Sequence, residues 1–193
     1  MIQGLLLAGG DSRRMGRDKA RLEIQGEEAW LHLGRKMLVA GCDRVLVGVP
    51  TRLMDPLTPL LSAGLDLRLV TIPEGLRQRG SIGTLVHLLS SVQDPFAVCL
   101  VAPVDHPYVH EDTLRALLQG RGPIRIPVQA GRRGHPIVLD ADMADRARQI
   151  PGTLKDLTRS PDLGAVEIPV EDEAIHWNLD RPEDYDRYTA RLP

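Results

Sequence analysis

The stretch Ile2-Gln3-Gly4-Leu5-Leu6-Leu7-Ala8-Gly9-Gly10-Asp11-Ser12-Arg13-Arg14-Met15-Gly16-Arg17-Asp18-Lys19 carries the strongest signal in the chain. Its nearly continuous apolar run, Ile2–Leu7, meets the Gly9-Gly10 pair at once, the pattern of a buried strand opening into a loop. The three glycines Gly9, Gly10 and Gly16 let the backbone turn tightly and bring its N–H groups close to an anion. Arg14 offers a planar fork and Lys19 a point charge, both suited to a polyphosphate. Four basic residues fall within the seven positions from Arg13 to Lys19, more than a plain glycine turn with solvated arginines calls for. The spacing is neither Gly-x-x-x-x-Gly-Lys-Ser/Thr nor Gly-x-Gly-x-x-Gly, which excludes the common phosphate loop and weakens a dinucleotide-cofactor reading.

Downstream, Trp30, Leu31, Leu33, Met37 and Leu38 recur at helical spacing, with Gly41 as a stop. Arg44–Val49 and residues 67–72 read as strands, with a short helix over 56–61 between them. Residues 81–92 are helical, with Leu85, Leu88, Leu89 and Val92 on one face. Residues 96–101 are the most strand-like segment and end at Ala102-Pro103-Val104-Asp105. A helix over 111–118 follows. Two short strands, 124–128 and 136–139, flank the basic turn Gly131-Arg132-Arg133-Gly134. Two short helices, a strand over Ala165–Pro169 and a helix over 183–190 complete the pattern. Alternating strands and helices predict a parallel α/β sheet wound by right-handed crossovers. Ligands bind such sheets beyond the carboxyl ends of the strands, where the glycine loop and Asp105 both fall.

The bulk properties agree with this class. Aromatics make up only 3% of the 193 residues, so Leu, Val, Ile and Ala must build the core, as in a sheet covered on both faces. A length of 193 residues suits one domain over 1–193. A formal net charge of −2 gives no sign of a nucleic-acid-coating surface or a binder of anionic membranes. Cys42 and Cys99 stand outside any Cys-x-x-Cys pair, which excludes a zinc ribbon and argues against a disulfide scaffold. The apolar run at the start is too short for a signal peptide and no stretch approaches a membrane span, so the cytoplasm is the expected location.

The glycine loop resembles the signature of the MobA-like NTP transferases, which include molybdenum cofactor guanylyltransferases and cytidylyltransferases. The resemblance continues in order and spacing through Gly80-Ser81-Ile82-Gly83-Thr84-Leu85, Val104-Asp105-His106-Pro107, Gly134-His135-Pro136 and Asn178-Leu179-Asp180-Arg181-Pro182-Glu183-Asp184-Tyr185. It implies a Rossmann-like three-layer α/β sandwich with a mostly parallel sheet, of the nucleotide-diphospho-sugar transferase type. It also implies transfer of a nucleoside monophosphate from a nucleoside triphosphate to a phosphorylated small-molecule acceptor, releasing pyrophosphate with Mg²⁺ as cofactor. Molybdopterin is the acceptor the resemblance favours; a sugar or alcohol phosphate, or a binding module without turnover, is the alternative.

Residue by residue, the resemblance assigns Leu7, Ala8, Gly9, Gly10, Ser12, Arg14, Lys19, Glu74 and Gly80 to the nucleotide. It assigns Arg14, Lys19 and Asp105 to catalysis and Asp105 with Asp180 to the metal. Asp180 equally suits an N-cap of the last helix, with Glu183 completing a capping box, and both readings stand at this point. Arg132, Arg133 and His135 are expected to face the acceptor. His106 and His110 read as exposed loop histidines, since Pro107 prevents helical alignment of a zinc pair. Leu7-Ala8-Gly9-Gly10 with Asp18-Lys19 resembles the guanylyl branch, whereas Asp180 and Arg133-Gly134-His135-Pro136 resemble the cytidylyl branch. GTP is therefore the expected donor, with CTP close behind.

Overall fold

Ile2–Leu7 forms the central strand, β1, in the computed structural model of the protein, which describes residues 1–61, 64–150 and 152–191. It pairs in parallel with Arg44–Val49 (β2) on one edge and Val98–Pro103 (β4) on the other. Leu67–Thr71 (β3) lies parallel beyond β2. On the other side follow Ile137–Asp140 (β6), Ile124–Gln129 (β5) and Ala165–Pro169 (β7). The order across the sheet is β7-β5-β6-β4-β1-β2-β3, and β6 alone among these seven runs against its neighbours.

The alternating pleat sorts the apolar runs into two cores. Leu6 and Ala8 of the first segment, with Leu100 and Ala102 of β4, face the helices Ala29–Ala40 (α1) and Glu111–Gln119 (α3). Leu5, Leu7, Cys99 and Val101 face the other way, against Ser81–Ser91 (α2), Ala141–Ala147 (α4) and Leu154–Arg159 (α5). Three layers result because both faces of the strands are apolar and each needs its own cover. Helix α2 packs against the backbone of the preceding segment at Gly83, where an added Cβ would run into the Leu76 carbonyl oxygen. A final helix, Pro182–Thr189 (α6), returns the chain to the glycine loop, where Arg17 lies 4.9 Å over the Tyr185 ring. Cys42 and Cys99 are buried free thiols, and no described helix is long and apolar enough to cross a membrane.

Several boundaries differ from the sequence expectation. The strand expected over 96–101 starts at Val98, because pairing begins where Ile2 meets it, and runs on to Pro103. The helix expected over 56–61 is a turn at Met54–Leu57 followed by a 3₁₀ turn at Thr58–Leu60, since Pro59 has no N–H to continue the α ladder. The basic turn sits one residue earlier than expected. Ala130 and Gly131, both at positive φ (50° and 72°), form a two-residue hairpin loop, and Arg132–Arg133 pairs back as strand on Val128 and Gln129. Asp180 is not the cap of α6. Arg181 occupies that position, and its N–H donates to the Asp184 carboxylate rather than to Glu183.

His32 on α1 is 9% exposed, and its Nε2 has no hydrogen-bond partner. Burial, reinforced by the Lys36 ammonium, lowers its pKa from 6.5 to about 4. The unfolded chain therefore takes up this proton at a higher pH than the folded one. The stability is complete above pH 6.5 and is lost as pH falls towards 4, at about 1 kcal/mol per pH unit for this one group. Urea unfolding at pH 7.5 and 5 should show the loss, and His32→Leu should shrink it. An equal pH dependence in the variant would remove His32 from the account.

Candidate active site

The glycine loop is held from below by apolar anchors and from the side by one arginine. Ser12 takes a positive φ of 53° and its carbonyl accepts from the N–H groups of Met15 and Gly16. Its Oγ accepts from the Lys19 N–H at 3.0 Å, closing the segment on itself. Met15 and Ala20 are sunk in the α1-side core, which leaves Arg13, Arg14 and Arg17 to project outward. Arg77 donates from Nε to the Gly9 carbonyl at 3.0 Å, and its guanidinium pairs with Asp11 and Glu74. A Cβ on Gly9 would come within 2.6 Å of Thr84 Oγ1, so the packing itself requires glycine there. At Gly10 nothing lies within 4 Å of an added Cβ.

Asp105 follows β4 by two residues and is held from several directions. The Asp105 carbonyl accepts from Leu179 N–H at 2.9 Å, and Val104 N–H donates to the Leu7 carbonyl. The largely buried Lys36 ties down the next turn by donating to the carbonyls of Pro107 and Val109. Buried Asp172 accepts from His110 N–H, Thr113 Oγ1 and Ala174 N–H, fastening the segment before Asp180 to the start of α3.

Four charges meet between these elements. Lys19 Nζ donates to Asp105 Oδ2 at 3.0 Å and to Asp180 Oδ1 at 2.7 Å. Arg14 lies 3.0 Å from the other Asp180 oxygen, Oδ2. Burial works against the charge on Asp105; the neighbouring His106 ring and the Lys19 ammonium outweigh it and hold the carboxyl below its usual range. Asp180 thus engages the loop cations, not a helix terminus.

Two cavities open on this cluster. The first, about 180 Å³, is lined by Leu7, Ala8, Gly10, Ser12, Arg14 and Lys19, with Asp105 and Asp180 closing it. The second, about 390 Å³, is lined by Arg79, Gly80, His106, His135, Lys155 and Asn178 among others. Ser81, Pro103 and Asp105 belong to both, so the cavities meet at the start of α2 and the end of β4. His106 is 5% exposed, which corrects the expectation of an exposed loop histidine; His110 is exposed as expected. The rings of His106 and His135 lie 5.0 Å apart. Burial, then His106, lowers the His135 pKa to about 4, so this wall of the second cavity is polar but uncharged at neutral pH.

Most of the residues expected to act together are brought together here, and some are not. Gly80 lies in the second cavity, not the first. Gly9 and Glu74 line neither cavity; Glu74 is engaged with Arg77 beside the loop. Arg132 and Arg133 are exposed and outside both linings, and Arg133 is taken up by Glu167 at 2.7 Å and by the Thr158 carbonyl. Arg77, Arg79 and Lys155 went unrecognised in the sequence. Only Lys155 had a local signal, since Thr153-Leu154-Lys155-Asp156 is a capping box that starts α5.

Comparison with known proteins identifies the family. The family described as "MobA-like NTP transferase domain" matches residues 4–163. A probable molybdenum cofactor guanylyltransferase of Chloroflexus aggregans is 30% identical over 197 residues, covering 99% of this chain and 86% of that protein. A molybdenum cofactor guanylyltransferase of Rhizobium rhizogenes is 28% identical, covering 95% of this chain and 88% of its own. The crystal structure of Rv0371c from Mycobacterium tuberculosis superposes with a TM-score of 0.83 at 21% identity, covering 100% of both chains. Its complex with manganese superposes with a TM-score of 0.80 at 19% identity, covering 99% of both chains, and these two likenesses show the shared fold. The chain belongs to the family of MobA-like NTP transferase domains, and the protein is a nucleotidyltransferase.

Proposed function

We propose that the protein transfers GMP from GTP to the terminal phosphate of molybdopterin, releasing pyrophosphate in the presence of Mg²⁺. The observation that carries this reading is the meeting of two cavities at Asp105, Ser81 and Pro103. The donor takes the cavity beside the glycine loop, and the acceptor takes the one bounded by Arg79, Lys155 and the two histidines. An oxygen of the acceptor phosphate attacks the α-phosphorus while the bond to the pyrophosphate oxygen breaks on the opposite side. The enzyme's part is to position two anions and neutralise them. At 4 Å and an effective dielectric near 20, each pair of unit charges between the reacting phosphates repels by about 4 kcal/mol.

Arg14 and Lys19 offset this charge at the departing phosphates, and Arg79 and Lys155 do so on the acceptor side. The positive end of α2 contributes at the meeting point, where its first N–H groups have no helical partner. Asp105 and Asp180 suit a hard divalent cation. Their carboxylates already reach one positive charge, Nζ of Lys19, and no cysteine lines that cavity. Among the described residues no group of three or more His, Cys, Asp or Glu suits a metal, so a cation held by Asp105 and Asp180 would need phosphate oxygens and water as its other ligands. Such a cation, when bound, neutralises phosphate charge and polarises the phosphorus–oxygen bonds. The manganese complex of the Rv0371c structure supports divalent-metal use. Guanylyl transfer is favoured by Leu7-Ala8-Gly9-Gly10 and by the names of the relatives.

Two outcomes are expected. With Mg²⁺, GTP should raise the melting temperature more than CTP, UTP or ATP, and GTP with molybdopterin should release pyrophosphate. Pyrophosphate release with CTP and none with GTP would reverse the donor assignment. Arg79→Ala/Lys155→Ala should raise the KM for the acceptor about tenfold or more and leave that for GTP within about twofold, whereas Arg132→Ala/Arg133→Ala should change neither. The opposite pattern would return the acceptor phosphate to the hairpin.

A further inference from the structure

We propose that Lys19 is an internal stand-in for the divalent cation, blocking the two-carboxylate site until a nucleotide's phosphates draw its ammonium away. The inference rests on reading Asp105 and Asp180 as the cation's ligands. Three of the four carboxylate oxygens are already committed to positive groups. Asp105 Oδ2 and Asp180 Oδ1 hold Lys19 Nζ at 3.0 and 2.7 Å, and Asp180 Oδ2 holds Arg14 at 3.0 Å. The remaining oxygen, Asp105 Oδ1, faces His106 Nε2 at 3.8 Å. Two cations and two anions balance, so the cluster is neutral without any metal.

A magnesium-sized ion held by both carboxylates, with metal–oxygen distances of about 2.1 Å, would need the space between them that Nζ occupies. Entering alone, it would place two further positive charges against Lys19 and Arg14 in a site where Lys19 is only 14% exposed and water screens poorly. A triphosphate changes this balance, because it offers both side chains new anionic partners. Arg14 is 66% exposed, and the lysine carries its charge on a flexible four-carbon stem. Metal and nucleotide then favour each other's binding, reciprocally as linkage requires. Lys19 keeps the two carboxylates from repelling one another before the nucleotide arrives, and pairs with phosphate afterwards.

The test is metal affinity without nucleotide, using Mn²⁺ as the probe and isothermal titration or water-proton relaxation as the readout. Lys19→Met, which keeps the apolar stem, should bind Mn²⁺ at least about tenfold more tightly than the unaltered protein. Lys19→Met/Asp105→Asn should lose that gain. If Lys19→Met does not fold, Lys19→Gln, uncharged but able to hydrogen-bond both carboxylates, is titrated in its place with the same expectation. Equal or weaker Mn²⁺ binding in the lysine variant overturns the inference while leaving the carboxylates as metal ligands. Absence of Mn²⁺ binding in every protein, even with a non-hydrolysable GTP analogue present, overturns the metal reading and the inference together.

Discussion

The strand Ile2–Leu7 is covered on both faces and paired along both edges, and most of the molecule follows from that constraint. A segment with no solvent-facing side can continue only as far as its neighbours satisfy its backbone. Here β2 and β4 satisfy it as far as Leu7, and the chain must then leave the sheet. Gly9 marks the exit, wedged against Thr84, and Gly10 lies beyond it in open space. Strand β4 is parallel to β1 and ends at Pro103 opposite Leu7, so Asp105 emerges beside the loop.

Lys19, Asp105 and Asp180 are largely withdrawn from water, so each replaces lost hydration with a partner of opposite charge. Lys19 joins the two carboxylates, reaching Asp105 and Asp180 across sequence separations of 86 and 161 residues. The surroundings explain why such distant groups meet. Lys36 and Asp172 use buried charge to clamp the backbone on either side of the site rather than to touch a substrate. The backbone carrying Asp105 is held by Leu179 N–H, whereas the two cations reach the carboxylates on long side chains from the glycine loop.

The basic hairpin shows how composition misleads when direction is unknown. Arg132 and Arg133 are adjacent to His135 in sequence, yet the two-residue turn at Ala130-Gly131 puts them on a short exposed strand. Glu167 of β7 then supplies Arg133 with a partner of opposite charge. The cations facing the second cavity, Arg79 and Lys155, come from two separate segments. Neither segment carries a run of like charge, and the one local mark is the capping box around Lys155.

The order of strands and helices, the exit loop and its cations were legible in the sequence because they are local. Apolar runs, glycine placement and helical period are each written within ten or so residues, and the bounds of β1, β2 and β7 follow from them directly. Asp105 was legible for the same reason, as a carboxylate just past a buried strand. The role of Asp180 was not. A residue before Pro182 satisfies the local rules for a cap, and only the folded chain brings it against Lys19 and Arg14 while Arg181 takes the cap position. The second cavity likewise exists only where α2, the end of β4, the start of α5 and the segment before α6 converge. Local preference follows from neighbours in the chain; pairing of charges follows from neighbours in space, and those are set by packing two apolar faces of one sheet.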